Sequence, residues 1–137
     1  MLEAIVGRVR TDETIAEVDS FLKTLPDPVR QVARGEWGFT VQAAGWPLEV
    51  GVAVRDGLFR VQAQVVGPGQ ISEADLLWWN RRIHLVRFSQ TQSGEVWLCC
   101  DLLPDSLSAR QLDRVLGLFV LTAAQARATV SEASVSS

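Results

Sequence analysis

Residues 76–119 read LLWWNRRIHLVRFSQTQSGEVWLCCDLLPDSLSARQLDRVLGLF. This segment predicts a helix, a strand, a tight turn at Ser93-Gly94, a second strand and a closing helix. Pro104 ends the second strand, and Ser108, followed three residues later by Gln111, is typical of a helix N-terminus. Because strands joined by a short turn pair antiparallel, the segment predicts the second half of an α+β domain.

Three alternating segments upstream predict the first half of the sheet. Apolar residues recur at every second position in residues 37–43, 48–54 and 59–65, a period typical of strands with one buried face. Asp56-Gly57 predicts a two-residue hairpin turn between the second and third of these strands. Gly45 indicates the turn between the first two.

A helix is predicted before these strands. Residues 11–25 carry apolar side chains at helical spacing, and Pro26 and Pro28 end that helix. We expect one further helical turn from Asp27 to Val32, closed by Gly35.

Two more helices complete the predicted order. Ser72 begins a middle helix, with Asp75 as its capping-box partner, and this helix runs to about Arg82. The final helix, which Ser108 begins, is expected to end near Ala128. The order is therefore α-β-β-β-α-β-β-α, and we expect a twisted antiparallel sheet of about five strands with helices packed on it.

Length and composition restrict the class of protein. The chain has 137 residues, which suits one domain at residues 1–130 followed by a small, polar, flexible tail at 131–137. A hydrophobic content of 47% excludes a disordered chain. The net charge of −3 disfavours nucleic acid and anionic membrane surfaces as direct partners. The N-terminus lacks the apolar core of a signal peptide, and no segment has the roughly 20 apolar residues of a membrane span.

The candidate reactive residues form no recognisable catalytic set. Cys99 and Cys100 are adjacent, which suits neither a disulfide nor a redox motif, and free thiols indicate a reducing cytoplasm. With His84 as the only histidine, no metal-ligand spacing is present, and we expect no metal and no cofactor. His84 is best interpreted as a histidine at a helix end. Phosphate-binding and hydrolase motifs are absent from the sequence, so we expect no catalytic residues and a non-enzymatic protein.

An arginine cluster supports an alternative function. Arg81, Arg82 and Arg87 lie close together in sequence near two tryptophans and are candidate anion contacts. Under this alternative the protein is a nucleic-acid-associated regulator of a stress response, whose binding weakens steeply as salt rises. The other interpretation is a solvated helix end, where cations complement the helix dipole. The negative net charge favours the second interpretation.

Excess apolar surface is the stronger functional signal. Trp78, Trp97, Leu118 and Leu121 lie off the predicted core faces of their helices and strand. Tryptophan is enriched at the centres of protein interfaces, so these four residues are candidates for a partner-binding or dimer interface. We expect Trp97→Ala to weaken dimerisation or partner binding more than folding. Coverage of the same side chains by the protein's own helices is the competing interpretation.

The run from residue 80 to residue 116 resembles the bacterial YbjN family, also described as sensory transduction regulators. The resemblance consists of Asn80 and two arginines that close a helix, an aromatic strand with Phe88, a polar turn, an apolar strand that ends in Asp101-Leu102, and a leucine-rich helix from Ser108. It covers roughly residues 11–125. The paired tryptophans at 78–79 and the paired cysteines are not part of the family pattern.

The resemblance implies a fold like that of type III secretion chaperones, often arranged as a homodimer. It also implies a partner polypeptide that is bound in apolar grooves and at strand edges, without chemistry. The residue patterns and the family resemblance lead to the same expectation, a cytoplasmic, chaperone-like or regulatory protein-binding module.

Overall fold

The computed structural model describes the backbone of residues 2–136 and the side chains of residues 11–105 and 107–133. Within residues 2–136, one antiparallel sheet of six strands carries three α-helices and a 3₁₀ turn. In chain order the elements are α1 (Leu2–Leu22), β1 (Val29–Ala33), β2 (Glu36–Ala43), β3 (Trp46–Arg55), β4 (Leu58–Val66), α2 (Glu73–Arg82), β5 (Arg87–Gln90), β6 (Val96–Leu102), the 3₁₀ turn Pro104–Ser106 and α3 (Ala109–Ser136).

The strand order across the sheet is β1-β2-β3-β4-β6-β5. Two-residue turns join β2 to β3 at Ala44-Gly45 and β3 to β4 at Asp56-Gly57, and all four residues have positive φ. This is the geometry of the hairpin turns that match the twist of the strands. The hairpin predicted at Asp56-Gly57 is therefore confirmed.

One face of the sheet is buried and the other is open. Helices α1 and α3 pack across the buried face, and the indole N–H of Trp37 on β2 donates to Asp19 Oδ1 of α1 at 3.0 Å. The sheet residues of this core lie at alternate strand positions, as the period of two predicts. They are Trp37, Phe39, Ala43, Leu48, Val50, Val52, Val54, Phe59, Val61, Ala63, Val65, Phe88, Val96, Leu98 and Cys100. Val66, also buried, departs from the alternation at a register shift in β4.

The predicted α+β class and antiparallel sheet are confirmed, with six strands where about five were expected. The extra strand is β1, which occupies the position of the helical turn predicted from Asp27 to Val32. Its residues pair with β2 from Val29, opposite Phe39, to Ala33, opposite Glu36, with a register shift before Ala33. Hydrogen bonds to β2 hold the backbone extended there, which outweighs a weak local preference for a turn.

Both predicted helix N-termini are confirmed by hydrogen bonds. The Ser72 hydroxyl accepts from the backbone N–H of Asp75 at 3.1 Å, and the Ser108 hydroxyl accepts from that of Gln111 at 3.2 Å. Helix α3 continues to Ser136, beyond the end predicted near Ala128. Good helix formers follow Ala123, and Val130 is buried against the core, which extends the helix.

The tail predicted at residues 131–137 includes side chains outside the described residues, so the domain boundary at residue 130 stays a prediction. None of the helices that the structure describes is long and apolar enough to cross a lipid bilayer.

Candidate functional site

Helix α2 is held on the sheet by one buried side chain, by the partly buried Trp79 and Ile83, and by one amide. Leu76 is its buried residue. The Asn80 Nδ2 donates to the carbonyl of Phe88 at 3.0 Å, and the Phe88 N–H donates to Asn80 Oδ1 at 2.7 Å. These two bonds fix the end of α2 against the edge strand β5.

A groove of about 210 Å³ lies between α2 and α3. We call it the α2–α3 groove. Its lining is partly aromatic, because the rings of Trp79 and Phe88 meet at a centroid distance of 5.6 Å and an angle of 58°. The full lining is Trp79, Arg82, Ile83, Phe88, Thr122, Gln125, Ala126 and Thr129.

None of the four predicted contact residues lines this groove, but three of them border it, in the sense that each lies one helical turn from a residue that does. The guanidinium carbon of Arg82, a lining residue, lies 5.8 Å from the ring centroid of Trp78. Leu118 and Leu121 each lie four residues before a lining residue, Thr122 and Gln125, and so on the same side of α3. Leu118 is half-buried, whereas Trp78 and Leu121 are each 55% exposed.

Trp97, the fourth predicted contact residue, lies on the opposite face of the sheet. Its strand, β6, alternates buried and half-buried residues, and Trp97 belongs to the half-buried set. The indole N–H donates to Glu95 Oε2 at 3.4 Å. Trp97 therefore belongs to a different surface from the groove, and its role in binding stays a prediction.

The predicted arginine cluster is divided between two surfaces. Arg87 lies on the open face of the sheet, where it donates to Asp101 Oδ2 at 2.6 Å, and Arg60 donates to Oδ1 of the same carboxylate at 2.7 Å. These bonds, first that from Arg87 and then that from Arg60, lower the pKa of Asp101. Arg81 and Arg82 lie instead at the end of α2. The structure therefore gives no support to a three-arginine site for nucleic acid.

The open face also has a shallow depression of about 290 Å³. Gly38 on β2 lies opposite Gly51 on β3, so these two paired positions add no side chain to this face. Three of the four charged residues that line the depression are already paired, because Arg55 binds Glu36 and Arg60 binds Asp101, and the fourth is Asp56. The depression therefore presents no unpaired arginine, whereas the α2–α3 groove presents Arg82.

Sequence reasoning missed Arg127, which is only 5% exposed. Its guanidinium donates to the carbonyls of Val65 at 2.8 Å, Ala43 at 3.2 Å, Trp46 at 3.1 Å and Pro47 at 3.2 Å. Burial lowers the pKa of Arg127. Its helical spacing gives a signal that could have revealed it, since Arg127 falls four residues after Ala123 on the buried side of α3.

The candidate reactive residues do not converge. His84 is exposed in the loop after α2, Cys99 is half-buried on the open face and Cys100 is in the core. Burial, followed by the adjacent Asp101 carboxylate, raises the pKa of the Cys100 thiol. No group of three metal-binding side chains occurs among the residues described.

Comparison with known proteins identifies the fold. No protein-family model matches the chain, so the resemblance to the YbjN family is not confirmed, and no curated protein matches it in sequence. The solved structure of the Yersinia pestis type III secretion chaperone SycH in complex with a stable fragment of YscM2 matches with a TM-score of 0.55 and 15% identity. That match covers 84% of this chain and 98% of the other.

A complex of ExsC with ExsE matches with a TM-score of 0.55 and 19% identity, over 88% of this chain and 89% of the other. The chain therefore has the fold of type III secretion chaperones, an open antiparallel sheet with helices on one face.

Proposed function

We propose that this protein is a non-enzymatic, chaperone-like or regulatory module that binds a partner polypeptide through apolar surface. The observation that carries the proposal is the α2–α3 groove, with exposed Trp78 and Leu121 at its borders. The fold supports it, because the matching chaperone SycH was solved with a fragment of another protein. The two free thiols, Cys99 and Cys100, support the cytoplasm as its compartment.

The energetics of the groove suit a polypeptide partner. Full burial of one large apolar side chain contributes about 1.5–3 kcal/mol. Burying the exposed parts of Trp78 and Leu121 would therefore supply a useful fraction of the roughly 8 kcal/mol of a micromolar complex. Leu118, which is half-buried already, would contribute less.

A comparative capture experiment tests the proposal. Tagged wild type and Gln125→Trp, which fills the groove from an exposed position, are used to capture proteins from native cell extract, followed by mass spectrometry. Gln92→Trp, an equal change in an exposed turn, is the matched control. We expect a defined protein that wild type and Gln92→Trp retain and Gln125→Trp loses. Equal retention by all three would contradict the groove as the binding site.

We also propose that the protein forms a homodimer, with Leu77 in the interface. Leu77 is 72% exposed and precedes Trp79 by two residues, which places it about 200° around α2 from that groove residue. Light scattering of purified protein measures the mass directly. We expect Leu77→Glu to halve the mass and Leu103→Glu, an equally exposed leucine elsewhere, to leave it unchanged. A monomeric wild type would refute the dimer without affecting the groove.

A further inference from the structure

The arginines on the strands, together with Arg34 in the turn after β1, are neutralised by carboxylates. Four separate ion-pair groups account for these five residues. The pairs are Arg30 with Glu49, Arg34 with Asp12, Arg55 with Glu36, and both Arg60 and Arg87 with Asp101. The open face of the sheet therefore presents little uncompensated positive charge.

Arg81 and Arg82 differ from these residues. Within the described part of the chain neither forms an ion pair, and Arg82 lines the α2–α3 groove. A position in the last turn of a helix explains basic residues in general, because they complement the helix dipole. It does not explain why one of them lines a groove beside the aromatic rings of Trp79 and Phe88. Arg110 and Arg114, on α3, likewise form no ion pair with any described residue, but they do not line the groove.

The geometry of Arg82 suits recognition of a carboxylate. Its guanidinium lies over the ring of Trp78 at 5.8 Å, which restricts its orientation. A planar guanidinium held in place can bind a carboxylate through two parallel hydrogen bonds, and less side-chain entropy is lost on binding.

The rest of the groove suits the apolar part of a peptide. A volume of about 210 Å³ is below the roughly 300–1,000 Å³ of pockets for small molecules, and so favours single side chains of a peptide. The hydroxyl of Thr129 donates to the carbonyl of Gln125 at 3.1 Å. Its oxygen keeps a lone pair with which to accept a peptide N–H. The Asn80 bonds to Phe88 hold the α2 wall in position.

We infer that the partner's binding segment is acidic and apolar: a carboxylate pairs with Arg82, supported by Arg81, and a neighbouring large apolar side chain enters the groove beside Trp79. This inference rests on the proposed protein-binding function and specifies the chemistry of the partner. The whole protein carries a negative net charge, which repels an acidic segment. A preference for acidic segments therefore comes from the arginines at this groove and not from the overall charge of the protein.

Selection from random peptides displayed on phage tests the inference without knowledge of the natural partner. Wild type is expected to enrich peptides with Asp or Glu close to Leu, Phe or Trp. A synthetic peptide of the enriched sequence, with its acidic residue changed to the amide, is expected to bind about ten-fold more weakly, in line with one charge-assisted pair at a partly exposed site. Arg81→Glu/Arg82→Glu is expected to prefer the same peptide with Lys at that position.

Variants of the groove decide the location. Gln125→Trp is expected to abolish binding of the enriched peptide, and Gln92→Trp to preserve it. The enriched peptides could lack acidic residues and still fail to bind Gln125→Trp. That result would overturn the charge preference and leave the proposed function intact. No enrichment, or equal binding by both tryptophan variants, would overturn the inference, while the capture experiment judges the proposed function separately.

Two other occupants have distinct signatures. If a second copy of the protein fills the groove, light scattering will show a dimer that Gln125→Trp dissociates. If the arginines serve nucleic acid, a fluorescent oligonucleotide will bind wild type at low salt and Arg81→Glu/Arg82→Glu will not bind it. Either result would overturn the inference.

Discussion

The side-chain amide of Asn80 makes with the backbone of Phe88 the two hydrogen bonds that a further β-strand would make. The amide donates to the Phe88 carbonyl at 3.0 Å and accepts from its N–H at 2.7 Å. Strand β5 lies at one edge of the sheet, where unpaired backbone groups can recruit another chain. Asn80 therefore closes this edge at Phe88 and at the same time fixes the α2 wall of the groove.

Replacing Asn80 tests this double role. Asn80→Leu keeps the size of the side chain but leaves the N–H and the carbonyl of Phe88 without their partner. We expect a loss of about 1–3 kcal/mol in the free energy of unfolding, measured by urea denaturation. Gln92→Leu, in an exposed turn, is the control and should change stability little. An Asn80→Leu protein as stable as wild type would mean that the apolar contacts of Leu76 and Trp79 hold α2 without the amide.

Sequence periodicity predicted the elements whose pattern is local. The strands β2, β3, β4 and β6 alternate because one face of each is buried, and Ser72 and Ser108 cap their helices with bonds that span only three residues. Strand β1 was missed because almost all its residues are exposed, so it has no alternation, and only pairing with β2 makes it a strand.

The candidate site was only partly predictable for the same reason. Trp78, Leu118 and Leu121 were identified as excess apolar residues, but the groove that they border depends on how α2 and α3 pack. Trp97 was grouped with them because the sequence alone does not show whether two exposed residues lie on the same surface of the protein. The two hydrogen bonds between Asn80 and Phe88 join two elements across a loop, and no residue pattern in the sequence encodes them.

Arg127 is expected to be a major contributor to stability. Its guanidinium joins α3 to the β2–β3 hairpin through carbonyls of Ala43, Trp46 and Pro47, and lies 5.4 Å from the ring centroid of Trp46. Arg127→Met removes these bonds and leaves buried carbonyl oxygens less satisfied. We expect the free energy of unfolding, measured by urea denaturation, to fall by about 2–4 kcal/mol. The loss of several charged hydrogen bonds destabilises the variant, and this is partly offset because a charged group no longer has to be desolvated.

The specificity of the Arg127 result depends on two comparisons. Arg110→Met, on the exposed side of the same helix, should change stability by less than about 0.5 kcal/mol. Amide hydrogen exchange should accelerate in residues 43–47 of Arg127→Met, because the hairpin loses its attachment to α3. Unchanged exchange there would show that the arginine does not hold the hairpin.

Asp101 makes stability depend on pH in a predictable direction. Its pKa is lowered in the folded protein by Arg87 and then by Arg60. As pH falls, the unfolded chain therefore takes up this proton first. The stabilisation is complete above about pH 4, the ordinary range of aspartate, and is lost as pH falls through the lowered pKa of the folded state.

Asp101→Asn measures this contribution. Both arginines are about half exposed, with side-chain exposures of 52% for Arg60 and 53% for Arg87. We therefore expect a loss of only about 1 kcal/mol at neutral pH. The difference between wild type and variant should shrink as pH falls through the lowered pKa of Asp101 in the folded protein, where the carboxylate protonates. A difference in unfolding free energy that stays constant from neutral to acidic pH would contradict an ionic origin.

Leu85 is held in a backbone conformation that costs stability. Its φ is +65°, and the Val86 N–H donates to the His84 carbonyl at 2.7 Å across it. The left-handed region costs a non-glycine residue roughly 1–2 kcal/mol, whereas glycine adopts it freely. The side chain is 59% exposed, so little packing is lost on its removal. We expect Leu85→Gly to raise the free energy of unfolding by about 0.5–1 kcal/mol after the greater entropy of unfolded glycine is subtracted.

Leu103→Gly is the matched control, because Leu103 is 68% exposed but has an ordinary φ of −77°. There the same substitution should destabilise by about 0.5–1 kcal/mol, since only the cost in the unfolded chain remains. Opposite signs at the two leucines in urea denaturation would establish strain at Leu85, and equal signs would exclude it.

Because strained exposed residues cluster at binding surfaces, and Leu85 follows the groove residue Ile83 by two positions, we also expect the more stable Leu85→Gly protein to bind the selected peptide more weakly.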